Sequence, residues 1–180
     1  MVGELQTNCY LLVDGEELAV IDPGADAKLI ISEIKKSGAK VKAIVNTHCH
    51  YDHTEANSQL REAFGAPIAI HEAEKPFVEF AVDRWLKDGD IVIVGALELR
   101  VVHTPGHTKG GICLFGSDFV LSGDTIFDQG IGRMDLAGGS CADMKQSLEK
   151  LDKLIPQGAM VYPGHGEIFK FQKGEVTKWI

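Results

Sequence analysis

Cysteine is scarce in this sequence, and no two cysteines lie close together. The four present, Cys9, Cys49, Cys113 and Cys141, are widely separated and form no C-x-x-C motif. This spacing excludes a cysteine-rich zinc finger and disfavours a disulfide scaffold in a chain of 180 residues. We therefore expect reduced cysteines that mostly contribute to packing, and a cytoplasmic location.

Long apolar runs and clusters of positive charge are also missing. The longest apolar stretches are far too short to span a bilayer, and the start "MVGELQTNCYLL" lacks the basic region and apolar core of a secretion signal. The formal net charge is −8, whereas binding to nucleic acid requires clustered Lys and Arg to neutralise phosphates. We expect neither a membrane nor a nucleic acid as partner.

Short apolar segments separated by turn residues dominate the chain. The pattern predicts strands in "CYLLVDGEELAVIDPG", "KAIVNTH", "PIAIH", "DIVIVG", "LELRVVHTP", "GICLFG", "DFVLSGD" and, last, "MVYPGHG". Helices are predicted in "DAKLIISEIKKSGA", over residues 55–64, and in "SCADMKQSLEKLDKLIP", with Ser140 as N-cap and Pro156 beyond the end. These elements predict an α+β fold in which two sheets pack face to face with helices outside, as one domain over residues 1–180.

The loop "VNTHCHYDH" holds three of the seven histidines of the chain within six positions. In extended backbone, alternate side chains share a face, so His48 and His50 point the same way. Asp52 and His53 are adjacent in the sequence, so their side chains point in different directions. They could bind a second ion or another side of the first ion. Packing does not explain so many polar residues together, and structural zinc sites are usually cysteine-rich and closed. The loop therefore predicts a metal site with positions open to solvent.

Three further candidate ligands follow other apolar segments: His107 in "TPGHTKGG", Asp124 in "LSGDTIF" and His165 in "YPGHGE". Polar side chains on loops over a rigid scaffold are a common way to build a site. Seven ligands are too many for one zinc ion. We predict one ion bound by His48, His50 and His107, another bound by Asp52, His53 and His165, and Asp124 as a bridge.

The motif H-x-H-x-D-H followed by separate His, Asp and His residues resembles that of the metallo-β-lactamase fold superfamily. The segments "TNCYLLVDGEELAVIDPG", "HTPGHTKGG", "SGDTIF" and "YPGHG" are similar to those of its hydroxyacylglutathione hydrolase (glyoxalase II)-like branch. The resemblance covers nearly the whole chain and matches the family's ligand pattern at all seven positions. It implies an αββα four-layer sandwich with the metal site at one edge of the two sheets.

The resemblance implies a metal-dependent hydrolase of thioesters such as S-lactoylglutathione. Two divalent metal ions are expected, with zinc favoured and iron or manganese as alternatives, because imidazole and carboxylate suit all three. A metal-bridging hydroxide would be the nucleophile, since metal coordination lowers the pKa of water to near 7. Asp52 and Asp124 are the expected catalytic residues, with Asp52 also orienting the nucleophile. A thiolate leaving group needs little protonation, so no general acid is required.

Residues that support the ligands are less clearly marked in the sequence. Asp22 in "IDPG" could anchor a ligand imidazole, or it could form a plain Asp-Pro-Gly turn. Thr47 and Thr108 could serve a similar purpose. His103 ends a strand and His71 begins a helix or turn, so we expect structural roles for both.

The segment "GIGRMDLAGG" stands where the family has a loop that holds a basic residue and a tyrosine over glutathione. Arg133 keeps the positive charge and is a candidate substrate-binding residue, with a solvated or structural arginine as the alternative. The chain ends 15 residues after His165, so we expect a short single-domain type without the C-terminal helical glutathione-binding domain. G-R-x-D also resembles persulfide dioxygenases, which use one iron. Three alternatives remain: persulfide dioxygenase activity, hydrolysis of another ester or a lactone, and metal binding without turnover.

Overall fold

Two β-sheets form the centre of the protein in the computed structural model, which describes residues 1–179. The first sheet contains five strands in the order β1 (Tyr10–Asp14), β2 (Glu17–Ile21), β3 (Lys40–Val45), β4 (Ile68–His71) and β5 (Arg84–Leu86). The strands that follow are β6 (Ile91–Val94), β7 (Leu97–His103), β8 (Ile112–Phe115), β9 (Phe119–Gly123), β10 (Ile126–Phe127), β11 (Gly130–Ile131), β12 (Met160–Pro163) and β13 (Phe169–Lys170). Six of them form the second sheet, in the order β13-β12-β9-β8-β7-β6, and β10 pairs with β11 in a separate hairpin.

Four α-helices accompany the sheets: α1 (Ala27–Ser37), α2 (Tyr51–Thr54), α3 (Asn57–Phe64) and α4 (Cys141–Leu154). Two 3₁₀ turns cover Glu72–Glu74 and Val176–Trp179. Ser140 caps α4, because its hydroxyl accepts a hydrogen bond from the backbone N–H of Asp143 at 3.2 Å. No helix within residues 1–179 is both long enough and apolar enough to cross a membrane.

Three apolar layers hold these elements together. Side chains alternate along each strand, so Leu18 and Val20 of β2 face the helices while Ala19 and Ile21 face the other sheet. The layer between the sheets joins β2 and β3 to β6–β9, and one outer layer joins the first sheet to α1 and α3. The other outer layer joins the second sheet to α4. This arrangement confirms the predicted α+β fold, a layered sandwich with helices outside two sheets.

Strand direction explains why one edge of the sandwich can hold a site. In the first sheet, β2, β3, β4 and β5 are parallel, so all end at the same edge. In the second sheet β12 is parallel to β9. Strand β7 runs in the same direction as β9, because both are antiparallel to β8. The loops after these strands therefore gather at the carboxyl edge of the sandwich.

Several predicted boundaries were wrong. The helix expected over residues 55–64 begins at Asn57, and residues 51–54 form a separate turn of helix. "MVYPGHG" does not contain the last strand, since β13 follows it, and β5, β10 and β11 were not predicted. These strands have only two or three residues, which is too short for apolar alternation to show, and they exist because a neighbouring strand pairs with them.

Candidate metal centre

The seven histidine and aspartate side chains identified in the sequence meet at the carboxyl edge of the sandwich. Their potential ligand atoms form three overlapping groups, and the atoms within each group all lie within 4.8 Å of one another. The groups are His48, His50 and His107; His48, His53 and Asp124; and Asp52, His53 and His165. Four loops far apart in the sequence supply them, so the cluster depends on the packing of both sheets.

Short distances between imidazole nitrogens define two ends of this cluster. His50 Nδ1 lies 2.9 Å from His107 Nε2, and His53 Nε2 lies 3.3 Å from His165 Nε2. His50 has an extended backbone immediately before α2, whereas His53 lies within α2. The change from extended to helical backbone is what sends the side chains of one short segment to both ends of the cluster.

The two aspartates occupy different positions in the cluster. Asp52 Oδ2 lies 3.4 Å from His53 Nε2 and 3.2 Å from His165 Nε2, which places it at one end. Asp124 Oδ2 lies 3.5 Å from both His107 Nε2 and His165 Nε2. Asp124 is therefore close to histidines of both ends, as a carboxylate shared between two ions would be.

Three buried polar atoms of the cluster have no hydrogen-bond partner within the described part of the chain. One of them, His53 Nδ1, lies 3.1 Å from the Asp22 carboxylate, and the other two are His48 Nε2 and Asp124 Oδ1. Leaving such an atom unsatisfied costs about 1–3 kcal/mol, and native proteins do so rarely. A divalent cation would satisfy both atoms, and nitrogen and oxygen donors together suit zinc, iron or manganese. The residues present therefore fit a metal centre.

Four of the imidazoles have an oxygen close to the ring nitrogen that faces away from the cluster. These oxygens are Thr47 Oγ1 for His48 (3.1 Å), Asp22 Oδ2 for His53 (3.1 Å), Arg133 O for His107 (2.7 Å) and Leu5 O for His165 (3.0 Å). Metal-binding histidines generally have such a partner, which fixes the tautomer and the ring orientation. The sequence could not reveal the two backbone carbonyls, because every residue carries one.

Asp22 connects two of the candidate ligands. Its carboxylate accepts hydrogen bonds from the backbone N–H and the hydroxyl of Thr47, both at 2.7 Å, and also lies beside His53. The Asp22 backbone has a φ of 51°, a left-handed conformation that Asp adopts more readily than most residues. These contacts favour the anchoring role of Asp22 over the plain turn, and Thr47 extends the contact to His48.

Other residues close to the cluster were not predicted. Thr7 donates a hydrogen bond from Oγ1 to Asp52 Oδ2 at 3.1 Å. A Cβ on Gly24 would lie 1.5 Å from the carbonyl oxygen of Asp52, and a Cβ on Gly164 would lie 2.1 Å from Asp124 Oδ1. Glycine is needed at both positions because the neighbouring backbone or carboxylate leaves no space for a side chain.

Burial sets the protonation of His48 and His50. The pKa of His48 is well below its usual value because the ring is buried, and the neighbouring imidazoles lower it further. Burial and then His107 also lower the pKa of His50. Both rings are therefore neutral at pH 7, which is the form that binds a metal.

Cys49 lies between two candidate ligands but does not have the properties of a nucleophile. Burial, followed by the nearby Glu74 carboxylate, raises the pKa of its thiol well above the usual value, so the reactive thiolate is disfavoured.

Glu74 itself is fully buried and accepts hydrogen bonds from the Thr108 hydroxyl and the Gly110 N–H, both at 2.6 Å. Thr108 thus contacts Glu74 and not a ligand imidazole, so it does not have the supporting role that the sequence left open. In the sequence Glu74 resembles an ordinary surface carboxylate.

The guanidinium of Arg133 is exposed and already paired. Its Nε and Nη2 donate to the two carboxylate oxygens of Asp135 at 2.8 and 2.7 Å, and Arg133 contacts the cluster through its carbonyl.

His71 and His103 lie apart from the seven ligands and stack on each other, with ring centroids 4.1 Å apart. Their placement agrees with the structural roles expected for both.

Comparison with known proteins identifies the relatives of this chain. It is 32% identical over 184 residues to the probable metallo-hydrolase YqgX of Bacillus subtilis (strain 168), covering 92% of this chain and 87% of YqgX. It is 34% identical over 161 residues to the probable polyketide biosynthesis zinc-dependent hydrolase BaeB of Bacillus velezensis, covering 87% of this chain and 72% of BaeB.

Solved structures and a family model lead to the same assignment. The structure of TTHA1623 in a di-iron-bound form superimposes with a TM-score of 0.85 at 30% identity, covering 94% of this chain and 92% of that chain. The family model of the metallo-beta-lactamase superfamily matches residues 2–165, which include all seven clustered histidines and aspartates. The chain therefore belongs to the metallo-beta-lactamase superfamily.

Proposed function

We propose that this metallo-hydrolase of the superfamily hydrolyses thioesters such as S-lactoylglutathione, using two divalent metal ions. His48, His50 and His107 would hold one ion, Asp52, His53 and His165 the other, and Asp124 would bridge them. The observation that carries the proposal is the position of Asp124, whose carboxylate lies 3.5 Å from histidine nitrogens at both ends of the cluster. Zinc is the metal we favour, in keeping with the zinc-dependent relative BaeB, and the di-iron form of TTHA1623 keeps iron as the alternative.

The metal ions, when bound, would lower the pKa of a water molecule and polarise the thioester carbonyl. Asp52 would orient the attacking water, because its carboxylate is ionised and its Oδ2 is held by Thr7. Burial opposes ionisation of Asp52, but hydrogen bonding to His165 and the charge of His53 outweigh it and lower the pKa to about 2. Asp22 and Thr47 would fix the orientation of the rings of His53 and His48.

Arg133 is the proposed contact for a carboxylate of the substrate. Its guanidinium and the Asp135 carboxylate are both exposed, and exposed ion pairs contribute little to stability because water screens them. Exchange of Asp135 for a substrate carboxylate would therefore cost little. This role requires that the guanidinium turns from Asp135 towards the metal centre, which its exposed position permits.

The test is the initial rate of S-D-lactoylglutathione hydrolysis, followed by the loss of thioester absorbance. We expect activity in the wild type and none in His50→Ala, together with a lower metal content. His103→Ala is the matched control, because His103 lies outside the cluster and should leave activity in place. A wild-type rate equal to that of His50→Ala would refute the thioester proposal. Oxygen uptake with glutathione persulfide would then identify the persulfide dioxygenase alternative.

A further inference from the structure

A cavity of about 370 Å³ lies directly beside the metal centre, and the proposed function gives it no role. His50 forms part of its wall, together with Cys49 and Tyr51. The other walls come from Phe77 and Phe80 in the loop between β4 and β5, and from Ala137 in the loop before α4. A group bound here would therefore contact a candidate metal ligand.

The chemistry of this cavity is mainly apolar. Phe77 and Phe80 are half-buried and present aromatic rings, which bind apolar groups well. Among the described residues that line the cavity, Glu79 is the single carboxylate, and it is exposed.

A second cleft, which Tyr51 also lines, has different chemistry. It has a volume of about 330 Å³ and is lined by Asp52 and by three further carboxylates, those of Glu4, Asp26 and Glu55. Tyr51, which is 67% exposed, contributes to both spaces. The metal centre therefore has an apolar cavity next to His50 and an acidic cleft next to Asp52.

A thioester has two halves that meet at the carbonyl carbon, and this carbon must lie at the metal centre for hydrolysis. The thiol half of common biological thioesters carries amides and carboxylates, whereas the acyl half is frequently a hydrocarbon chain. An apolar group gains free energy in an apolar cavity, and a carboxylate does not. The cavity is also small for a complete ligand, near the lower limit of known ligand sites, as expected for a space that receives one half.

The wall of the cavity is attached to the metal centre by specific contacts. The Phe77 ring packs closely on Gly138, where an added Cβ would lie 3.3 Å from its Cζ. The backbone N–H of Phe77 donates to the carbonyl of Glu74, whose carboxylate binds Thr108 and Gly110 beside His107. The position of Phe77 is therefore coupled to the loop that presents His107.

From these observations we propose that the cavity lined by Phe77, Phe80 and Ala137 binds the apolar acyl chain of the thioester and selects substrates by acyl length. The proposal rests on the thioester hydrolase function and specifies its substrate class. The preferred substrates are thioesters with a short to medium hydrocarbon acyl group.

The experiment compares the acetyl, butanoyl and hexanoyl thioesters of glutathione, so that the thiol half stays constant. In the wild type, kcat/KM should rise about fourfold for each methylene group, the ratio that corresponds to about 0.8 kcal/mol per buried CH₂. Ala137→Phe would fill the cavity from an exposed loop position and should abolish this rise of kcat/KM with acyl length. Ala137→Ser adds one small polar atom and should keep the wild-type dependence on length.

Binding of S-ethylglutathione and S-hexylglutathione, which are thioethers without a thioester carbonyl and are not hydrolysed, gives a readout that does not depend on catalysis. The hexyl compound should bind more tightly to the wild type and lose that advantage in Ala137→Phe. Hydrolysis with no dependence on acyl length, or a dependence that persists in Ala137→Phe, would overturn the cavity assignment and leave the hydrolase standing. Failure of the wild type to hydrolyse any thioester would overturn the proposed function itself, and the S-alkyl compounds would then decide the cavity separately.

Discussion

Gly164 lies against the Asp124 carboxylate, and its replacement by alanine tests the geometry of the metal centre. The backbone of Gly164 is not in the left-handed region, so alanine causes no conformational strain there. The new methyl group would lie 2.1 Å from Asp124 Oδ1 and 2.8 Å from His53 Cε1. Both of these side chains are candidate metal ligands, so the substitution acts directly on the site.

The expected magnitude follows from the distances. A Cβ atom does not approach a non-bonded heavy atom more closely than 3.0 Å. Asp124 or its neighbours must therefore move by about 1 Å. A displacement of this size at a catalytic centre lowers rates about 100-fold. Overpacking also costs about 1–3 kcal/mol of stability, which corresponds to a decrease in Tm of about 2–4 °C per kcal/mol. We therefore expect Gly164→Ala to be folded, deficient in metal and about 100-fold less active.

Gly166→Ala is the matched control for stability. Gly166 has a φ of 75° and no atom within 4 Å of an added Cβ, so alanine there costs about 1–2 kcal/mol through backbone conformation alone. Measurement of Tm, metal content and kcat/KM for both variants separates stability from site geometry. If Gly164→Ala retained full metal content and activity at a Tm similar to that of Gly166→Ala, the assignment of Asp124 to the centre would be refuted.

Three further predictions concern the ligands, their support and a group outside the site. His50→Ala and Asp124→Ala should each abolish activity and lower metal content, measured by elemental analysis; a fully active variant of either would contradict the assignment. Asp22→Ala should weaken metal affinity about 10–100-fold in a chelator competition, because His53 and Thr47 lose their buried partner; unchanged affinity would indicate a plain turn. Burial, and then the stacked His103 ring, lower the pKa of His71 to about 4. As pH falls from about 6.5 to about 4, this histidine therefore takes up a proton in the unfolded state but not in the folded state. The contribution of His71 to stability should therefore be complete above about pH 6.5 and decrease as pH falls through that range. Urea denaturation of His71→Asn should show a weaker decrease of stability over the same range; equal slopes would refute this account.

The layered fold could be anticipated because each sheet has one face towards the other sheet and one towards helices. In β2, strand geometry puts Leu18 and Val20 on one face and Ala19 and Ile21 on the other, which is a local property. All four residues are apolar, so the packing of the layers decides which face lies towards the helices. The strand β5 could not be anticipated, because its three residues are held in place by pairing with β4. Short edge strands depend on a partner that the local sequence does not identify.

Candidate ligands could be identified because histidine and aspartate are chemically distinctive and follow apolar strands. The sequence also placed His48 and His50 on a common face, and both belong to one group of ligand atoms in the structure. The supporting contacts were less accessible. Thr108 binds the buried Glu74, and His107 binds the carbonyl of Arg133, and no local pattern distinguishes these partners from ordinary polar residues.

The sequence by itself determined the residue types at the site, which side chains of a strand share a face, and the family resemblance. Only the tertiary structure decided which residues meet: His165 with the carbonyl of Leu5, 160 positions away, and Phe77 with Gly138 beside the metal centre. The reason is physical, because strand alternation and ligand chemistry are local properties, whereas contacts between distant loops depend on how the two sheets pack and on the common direction of β3, β7, β9 and β12.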